Sequence, residues 1–332
     1  MRNSIFKKLN LFVLVMLLAF GVLAGCSSSS DENKDKNKED VQTEQSDAGN
    51  SSEVAFPVTV TDATGAKLTI EEKPEKIVSV LPSNTEIAFA LGLGDEIVGV
   101  SDHDNYPEEA TKKEKIGGLE LNVEKILSLE PQLVLADQSN DEKALDQLRD
   151  SGIPVLVVSS ASNFDGVYDV IGLIGKATGT HEKALDIITE MKDKLIALEE
   201  KASTIEEKDQ KSVFVEISPS PEIYTTGKDT FMDELLTKIN AKNAAEDQVG
   251  WPKMNEEAII ALNPDVIITT YGSFVEDPVA EVTERNGWNE VTAVKNKQII
   301  DVNEDLVSRP GPRLVEGAEE LGKAIYPDIF AE

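Results

Sequence analysis

The chain is short of the residues that carry most chemistry near neutral pH. It has one cysteine, Cys26, and two histidines, His103 and His181, among 332 residues. A lone cysteine excludes an intrachain disulfide. Two distant histidines cannot supply the cluster of imidazole and carboxylate ligands that holds a bare zinc or manganese ion. No nucleophile elbow, zinc-ligand spacing or glycine-rich phosphate loop occurs. Gly92-Leu-Gly94-Asp-Glu96 lacks the third glycine of a dinucleotide-binding turn. These absences argue against an enzyme. Positive charge is scarce as well: 32 Lys and Arg stand against 62 Asp and Glu, a formal net charge of −30. Such a chain is repelled by nucleic acid and by anionic membrane surfaces.

The one long apolar run, Leu11 to Leu23, is too short and wrongly flanked for a membrane span. Arg2, Lys7 and Lys8 precede it, and residues 1–25 read as a targeting peptide. The run ends in Leu23-Ala24-Gly25-Cys26, which resembles the lipobox of bacterial lipoproteins. Cys26 would then be diacylated and become the new N-terminus. The alternative is an ordinary signal peptide with a chance cysteine. Acyl chains on one residue anchor stably, since each buried methylene contributes about 0.8 kcal/mol. Residues 26–54 are almost wholly polar and cannot offset their ordering entropy. They read as a tether with a root-mean-square span of roughly 30 Å. An anchor and a long leash place the globular body outside the cytoplasmic membrane, with a lean toward a Gram-positive surface.

The body carries an internal repeat. Asn122-Val-Glu124-Lys-Ile126-Leu-Ser-Leu129-Glu-Pro131 is echoed by Asn255-Glu-Glu257-Ala-Ile259-Ile-Ala-Leu262-Asn-Pro264, and each leads into an apolar strand. Val78-Ser-Val-Leu-Pro82-Ser83 is echoed by Val215-Glu-Ile-Ser-Pro219-Ser220. Each unit reads as a capped amphipathic helix, a proline stop and a buried strand, and two such lobes imply a cleft between them.

The first lobe, residues 55–165, alternates strands Ile77–Val80, Ile97–Val100, Leu133–Ala136 and Val155–Ser159 with helices Asn84–Leu91, Val123–Leu129 and Glu142–Asp150. That alternation predicts a mostly parallel sheet. Ser83 and Glu86 have the spacing of a capping box, with Gly92 and Gly94 closing the helix. Residues 166–204 carry no strand signal. A short helix, Gly166–Ala177, leads into a long one from His181 to about Ser203, with an apolar stripe at Ala184, Leu185, Ile188, Met191, Leu195 and Leu198. A single rod linking the lobes predicts a stiff hinge and small closure. The second lobe, residues 205–332, carries strands Val213–Ile217, Val266–Thr270 and Ile299–Val302, and helices Phe231–Ile239, Glu256–Leu262, Pro278–Asn286 and one after Pro312.

An ordered set of phrases carries a family resemblance. The set is Leu81-Pro-Ser-Asn-Thr-Glu86, Asn105-Tyr106-Pro107, Asn122-Val-Glu124-Lys-Ile126, Gly250-Trp251-Pro252, Asn263-Pro264-Asp265 and Ser308-Arg309-Pro310-Gly311-Pro312-Arg313. Together, over residues 75 to 326, it resembles the substrate-binding proteins of bacterial ABC importers for vitamin B12 and ferric siderophores. The resemblance implies an α/β fold of two Rossmann-like lobes joined by one long helix. It also implies a cleft for a small-molecule ligand and delivery to a permease dimer with its ATPase, by a monomer with no cofactor of its own. The ligand it implies is a corrinoid, or else a ferric siderophore or haem. An envelope enzyme or a surface scaffold are the readings from other classes.

Ligands of open α/β sheets sit beyond the carboxyl ends of the strands. Pro82, Ser83, the Asp102–Tyr106 segment with His103 and Tyr106, and Pro219–Tyr224 lie just past such ends. Trp251 offers a flat apolar wall for a large planar ligand, or braces a loop as a core residue. In vitamin B12-binding relatives a Trp at the matching place packs against the corrin. Arg309 and Arg313 sit in a proline-stiffened loop, and their forks suit amide oxygens, phosphate and carboxylate. Arg309 matches a position that touches ligand in relatives. Arg313 could instead start the last helix and pair with an acid. Asp305, four residues before Arg309, could accept from ligand amides or pair with that Arg. His103 could meet a metal centre, stack, or satisfy its neighbours Asp102 and Asp104, and Tyr106, Tyr224 or His103 could serve haem. Glu124 and Glu257 occupy equivalent first-turn positions, where a carboxylate is favoured by about 0.3–1 kcal/mol. The resemblance implies that both dock against permease arginines.

Overall fold

The computed structural model describes residues 55–330, so the expected signal peptide, Cys26 and the tether lie outside the described residues. The described chain opens with an antiparallel hairpin, β1 (Val58–Thr61) and β2 (Lys67–Ile70). Its turn is held by Asp62 Oδ1, which accepts from the Thr64 and Ala66 amides, and Gly65 takes a φ of 85°. Neither strand was legible as a strand, because each is four residues long and faces solvent on alternate positions.

Two parallel sheets follow. The first holds β3 (Ile77–Ser79), β4 (Ile97–Val100), β5 (Glu114–Lys115), β6 (Leu133–Asp137) and β7 (Val155–Val158), in the order β5-β4-β3-β6-β7. The second holds β8 (Ser212–Glu216), β9 (Lys242–Asn243), β10 (Val266–Thr269) and β11 (Ile299–Asp301), in the order β9-β8-β10-β11. Central β3 pairs with β6 as β8 pairs with β10, so the duplicated phrases occupy equivalent places in the two sheets.

Helices of the first lobe are α1 (Pro82–Ala90), α2 (Val123–Ser128) and α3 (Glu142–Asp150). The connection is α4 (Phe164–Thr178), a left-handed Gly179, and α5 (His181–Ala202). The second lobe adds α6 (Phe231–Lys238), α7 (Glu256–Leu262), α8 (Pro278–Thr283), α9 (Thr292–Lys295), α10 (Glu304–Ser308), α11 (Leu314–Ile325) and α12 (Pro327–Phe330).

The repeat helices begin and end alike. Asn122 and Asn255 each cap by accepting an amide hydrogen bond three residues on, at 2.9 and 2.8 Å. Glu130 and Asn263, each just before a proline, turn the chain through positive φ of 52° and 49°. The proline then prevents the helix from continuing.

Period-two strand patterning divides the core. On the inner faces Ile77, Leu133, Leu135, Leu156, Val213, Val215, Val266 and Ile268 all join one buried cluster. That cluster includes Ala184, Ile187, Met191, Leu195, Leu198 and Ala202 of α5. The alternate residues build a separate outer core under each sheet: Val78, Val134 and Val157 in one, Phe214 and Ile267 in the other. The rod therefore shares a continuous core with both sheets. At 22 residues it is about 33 Å long at 1.5 Å per residue.

The buried stripe is rotated from the expected one. Leu185 is half exposed and Ile188 only partly buried, while Ile187 is buried. A helix advances 100° per residue, so Leu185 falls on the flank of the seam that Ala184, Ile187, Met191, Leu195 and Leu198 define.

A shared core makes the lobes one folding unit. Met191→Ala is expected to lower the unfolding free energy by about 2–5 kcal/mol. Hydrogen-exchange protection of β6 and β10 amides should fall together. Loss of protection in one sheet alone would contradict a common core.

Candidate functional site

The carboxyl ends of both sheets converge on a cleft. One part is a cavity of about 750 Å³, lined by Pro82, His103 and Asn105 from one lobe and by Ser273, Asp301–Asp305, Ser308 and Arg309 from the other. A second part, about 250 Å³, is lined by Leu81, Asp137, Ser139 and Ser160–Ser162 on one side and by Asp229, Thr230, Phe231, Trp251 and Pro310 on the other. Leu81 and Pro82, and Arg309 and Pro310, make the two parts adjoin. A third cavity of about 800 Å³ lies at the C-terminal end of α1, between Phe89, Gly94, Tyr106, Lys112, Lys113 and Arg313. Its walls come mainly from α1, the turn after it and the stretch from Tyr106 to Lys113, so we take the first two, which residues at the strand ends line, as the candidate site.

Helix α1 shapes one wall and is buried through most of its length, polar residues included. Asn84 donates to the Ala136 carbonyl at 3.3 Å, and Thr85 donates to Ser79 Oγ at 2.8 Å. The expected capping box does not form. Leu81 is the N-cap, Pro82 takes a first-turn position, and no side chain caps the helix. Ser83 is buried inside the first turn and lines none of these cavities.

Glu86 instead reaches across to the other lobe. Its side chain is 2% exposed and accepts from Arg309 Nη1 at 2.9 Å and from Arg313 Nε and Nη2 at 2.8 and 2.7 Å. Arg309 also donates to Asn105 Oδ1 at 2.7 Å and pairs with Asp305 at 2.7 Å, while Asn105 Nδ2 donates to Asp305 at 2.8 Å. Arg313 caps α11 and lies 3.8 Å over the Tyr106 ring. Burial works against the Arg313 cation, but the hydrogen bonds and charge of Glu86 outweigh it, and its pKa lies above the ordinary guanidinium value. Pairing inside the protein thus occurs for both arginines and for Asp305.

The candidates named from the sequence separate into groups. Pro82, His103, Asp305 and Arg309 line the larger part of the cleft. Trp251 lines the smaller part, 45% exposed, with its ring 5.4 Å from Phe231. It is presented by a firm segment: Gly227 donates to the Gly250 carbonyl and Thr225 to the Pro252 carbonyl, at 2.8 and 3.0 Å. A Cβ on Gly227 would sit 2.6 Å from the Gln248 carbonyl, so only glycine allows this approach. Tyr106 and Arg313 line the third cavity. Tyr224 is exposed beside Lys253 and lines none of the three. Glu124 and Glu257 are exposed in the first turns of α2 and α7, and among the described residues neither has a side-chain partner.

Three groups escaped the sequence reading. Glu86 was legible only as a capping residue. Asp104 is buried and accepts from Ser101 Oγ at 2.5 Å. Burial raises its pKa against the opposing pull of Ser101, Thr85, Lys115 and Arg309. Glu304, at the cleft, is raised by burial and then by the neighbouring Asp305 charge.

Glu216, fully buried at the end of β8, is bound by both Arg285 Nη atoms, at 2.8 and 2.5 Å, and by the Tyr271 hydroxyl at 2.6 Å. It braces the second lobe and lines none of these cavities.

Comparison with known proteins places this geometry. The family model described as "Periplasmic binding protein" matches residues 77–306. An uncharacterized ABC transporter substrate-binding lipoprotein of Bacillus subtilis is 49% identical, over 96% of this chain and 97% of its own. The solved structure of a possible iron-binding (periplasmic solute-binding) protein from Staphylococcus epidermidis is 38% identical, with a TM-score of 0.69, over 77% of this chain and 100% of that one. The periplasmic vitamin B12-binding protein of Vibrio cholerae is 26% identical, with a TM-score of 0.65, over 78% and 99%.

Removing the Glu86 carboxylate takes from poorly exposed Arg313 the acid it pairs with and leaves Arg309 with Asp305. Glu86→Ala is expected to cost about 3–5 kcal/mol of stability in urea denaturation, and a loss under about 1 kcal/mol would contradict the clamp. For Asp104 the sign runs the other way from a salt-bridged acid. With its folded pKa raised, the folded state binds more protons than the unfolded state just above the ordinary aspartate value, so stability falls as pH rises through that window. Asp104→Asn should flatten that fall when denaturation is followed across weakly acidic pH.

Proposed function

The chain belongs to the periplasmic binding protein family, and on that premise we propose that it is an extracytoplasmic, lipid-anchored binding protein of an ABC importer. It captures a corrinoid in the inter-lobe cleft and passes it to a permease dimer served by an ATPase, with no covalent chemistry. The observation that carries the ligand reading is Trp251. Its half-exposed indole stands on a cleft wall beside Phe231, on a backbone held by hydrogen bonds. A flat aromatic wall suits a large macrocycle, because aromatic burial supplies much of the contact energy without demanding hydrogen bonds. The similarity to the vitamin B12-binding protein of Vibrio cholerae supports the same ligand. The greater identity to the possible iron-binding protein of Staphylococcus epidermidis supports an iron chelate as the second reading.

Transfer needs a docking surface. Glu124 and Glu257 are exposed and without a side-chain partner among the described residues, and they stand at the same place in the two copies of the repeat. The neighbouring Glu256 is held inside, accepting from Ser220 Oγ at 2.7 Å and Trp288 Nε1 at 3.1 Å. Glu257 therefore remains free for a partner, and we assign the pair to arginines on the permease. The lipobox resemblance at Cys26 supplies the anchor.

Cyanocobalamin at 100 times its dissociation constant should stabilise the protein by about 2.7 kcal/mol. Trp251→Ala should remove most of that gain at unchanged intrinsic stability. A gain that survives the substitution would move the ligand away from this wall. In membranes holding the cognate importer, the Glu124→Arg, Glu257→Arg double variant should still bind ligand but no longer form the complex. Undiminished complex formation would falsify the docking assignment.

A further inference from the structure

The cleft is lined by more carboxylates than cations. Asp137, Asp229, Asp301, Glu304 and Asp305 all border its two parts, against a single guanidinium, Arg309. That guanidinium is already bound by Glu86, Asp305 and the Asn105 carbonyl oxygen. Among the described residues, only Asp305 of the five acids has an ion pair. Asp137 accepts from the Ser139 amide and from Ser160 Oγ, at 2.8 and 2.6 Å. Asp301 accepts from Thr269 Oγ1 at 2.8 Å and from the Gly272 amide at 3.1 Å. Glu304 accepts from Ser273 Oγ at 3.4 Å and lies within the field of Arg309. Asp229 is exposed on a left-handed turn, with φ of 67°. Neutral donors orient these carboxylates without cancelling their charge.

We infer that the cleft selects its ligand by charge, admitting neutral, amide-rich or cationic molecules and rejecting polyanionic chelates. The inference rests on the importer reading above and names the ligand class of that same cleft. A cleft lined by one sign of charge, with low-dielectric walls, focuses that field on whatever enters. A chelate of net negative charge, such as a tris-catecholate iron complex, meets four unpaired carboxylates and no free cation. Carboxylate-bearing haem faces the same obstacle. An uncharged corrinoid presents amide groups that carboxylates can accept from, and an iron trihydroxamate carrying a free ammonium gains from the field. The two arginines that sequence reading offers to an anion are engaged with Glu86.

The test is calorimetric titration of the intact protein with three probes: cyanocobalamin, the ferric complex of the ammonium-bearing trihydroxamate ferrioxamine B, and trianionic ferric enterobactin. Cyanocobalamin or the cation should bind at least about 100-fold more tightly than the trianion, and binding of the cation should weaken with added salt. Asp229→Asn with Glu304→Gln removes two charges without orphaning a cation. Asn tolerates the left-handed turn at position 229. This variant should narrow the gap by about tenfold, through better binding of the trianion. Trianion binding as tight as that of the other two overturns the charge selection and leaves the importer reading standing. A gap unmoved by the double variant also overturns it. Failure of all three probes with folded protein overturns the importer reading, and the inference with it.

Discussion

One buried carboxylate sets the geometry of this protein. Glu86 stands in a helix of the first lobe and binds two arginines from the C-terminal part of the second, with its side chain 2% exposed. A buried acid is tolerated only when its charge is matched and its oxygens are bonded, and here three guanidinium hydrogen bonds meet that condition. The Arg309–Arg313 loop, stiffened by Pro310 and Pro312, is thereby fixed against the first lobe. That contact closes one flank of the cleft. It also determines what the cleft can offer a ligand, because the cations nearest to it have their donors turned toward Glu86.

The second constraint is the rod. Helix α5 shares a core with the inner faces of both sheets, so the lobes meet through tightly fitted side chains as well as through chain connectivity. Core side chains have discrete arrangements and resist continuous deformation. The Glu86 clamp on one side and the rod on the other both tie the lobes together. The cleft between them joins an aromatic wall at Trp251 to an acidic floor. Such a surface suits a bulky molecule that is apolar on one face and rich in hydrogen-bond donors on the other.

Local rules were legible in the sequence, and long-range ones were not. Helices Glu142–Asp150 and Glu256–Leu262 and strand Ile97–Val100 have the limits that periodicity predicts, since each depends on its own residues. The two copies of the repeat lie at equivalent places in the two sheets. The hairpin of β1 and β2 escaped because its strands are short and half polar. Ser83 and Glu86 satisfied a local capping rule, but Pro82 at the helix start and the distant arginines overrode it. The residues named from the sequence fall in different places. Pro82, His103, Trp251, Asp305 and Arg309 line the cleft, whereas Ser83 and Tyr224 do not and Tyr106 and Arg313 border a separate cavity. Asp137, Asp229 and Asp301 are far apart in the chain, and only folding brings them to one cleft, so its charge could not be read in advance.

The most direct test of the central claim is the state of the two guanidinium groups in solution. Nitrogen-15 spectra of the Arg309 and Arg313 side chains, assigned with Arg→Lys variants, report how fast each fork rotates and exchanges its protons. If Glu86 holds both, rotation is slow and exchange retarded in the ligand-free protein, and in Glu86→Gln both speed up, more for Arg313 than for Arg309, which keeps its Asp305 pair. Freely rotating, rapidly exchanging guanidinium groups in the unaltered protein would contradict the clamp and the cleft chemistry built on it.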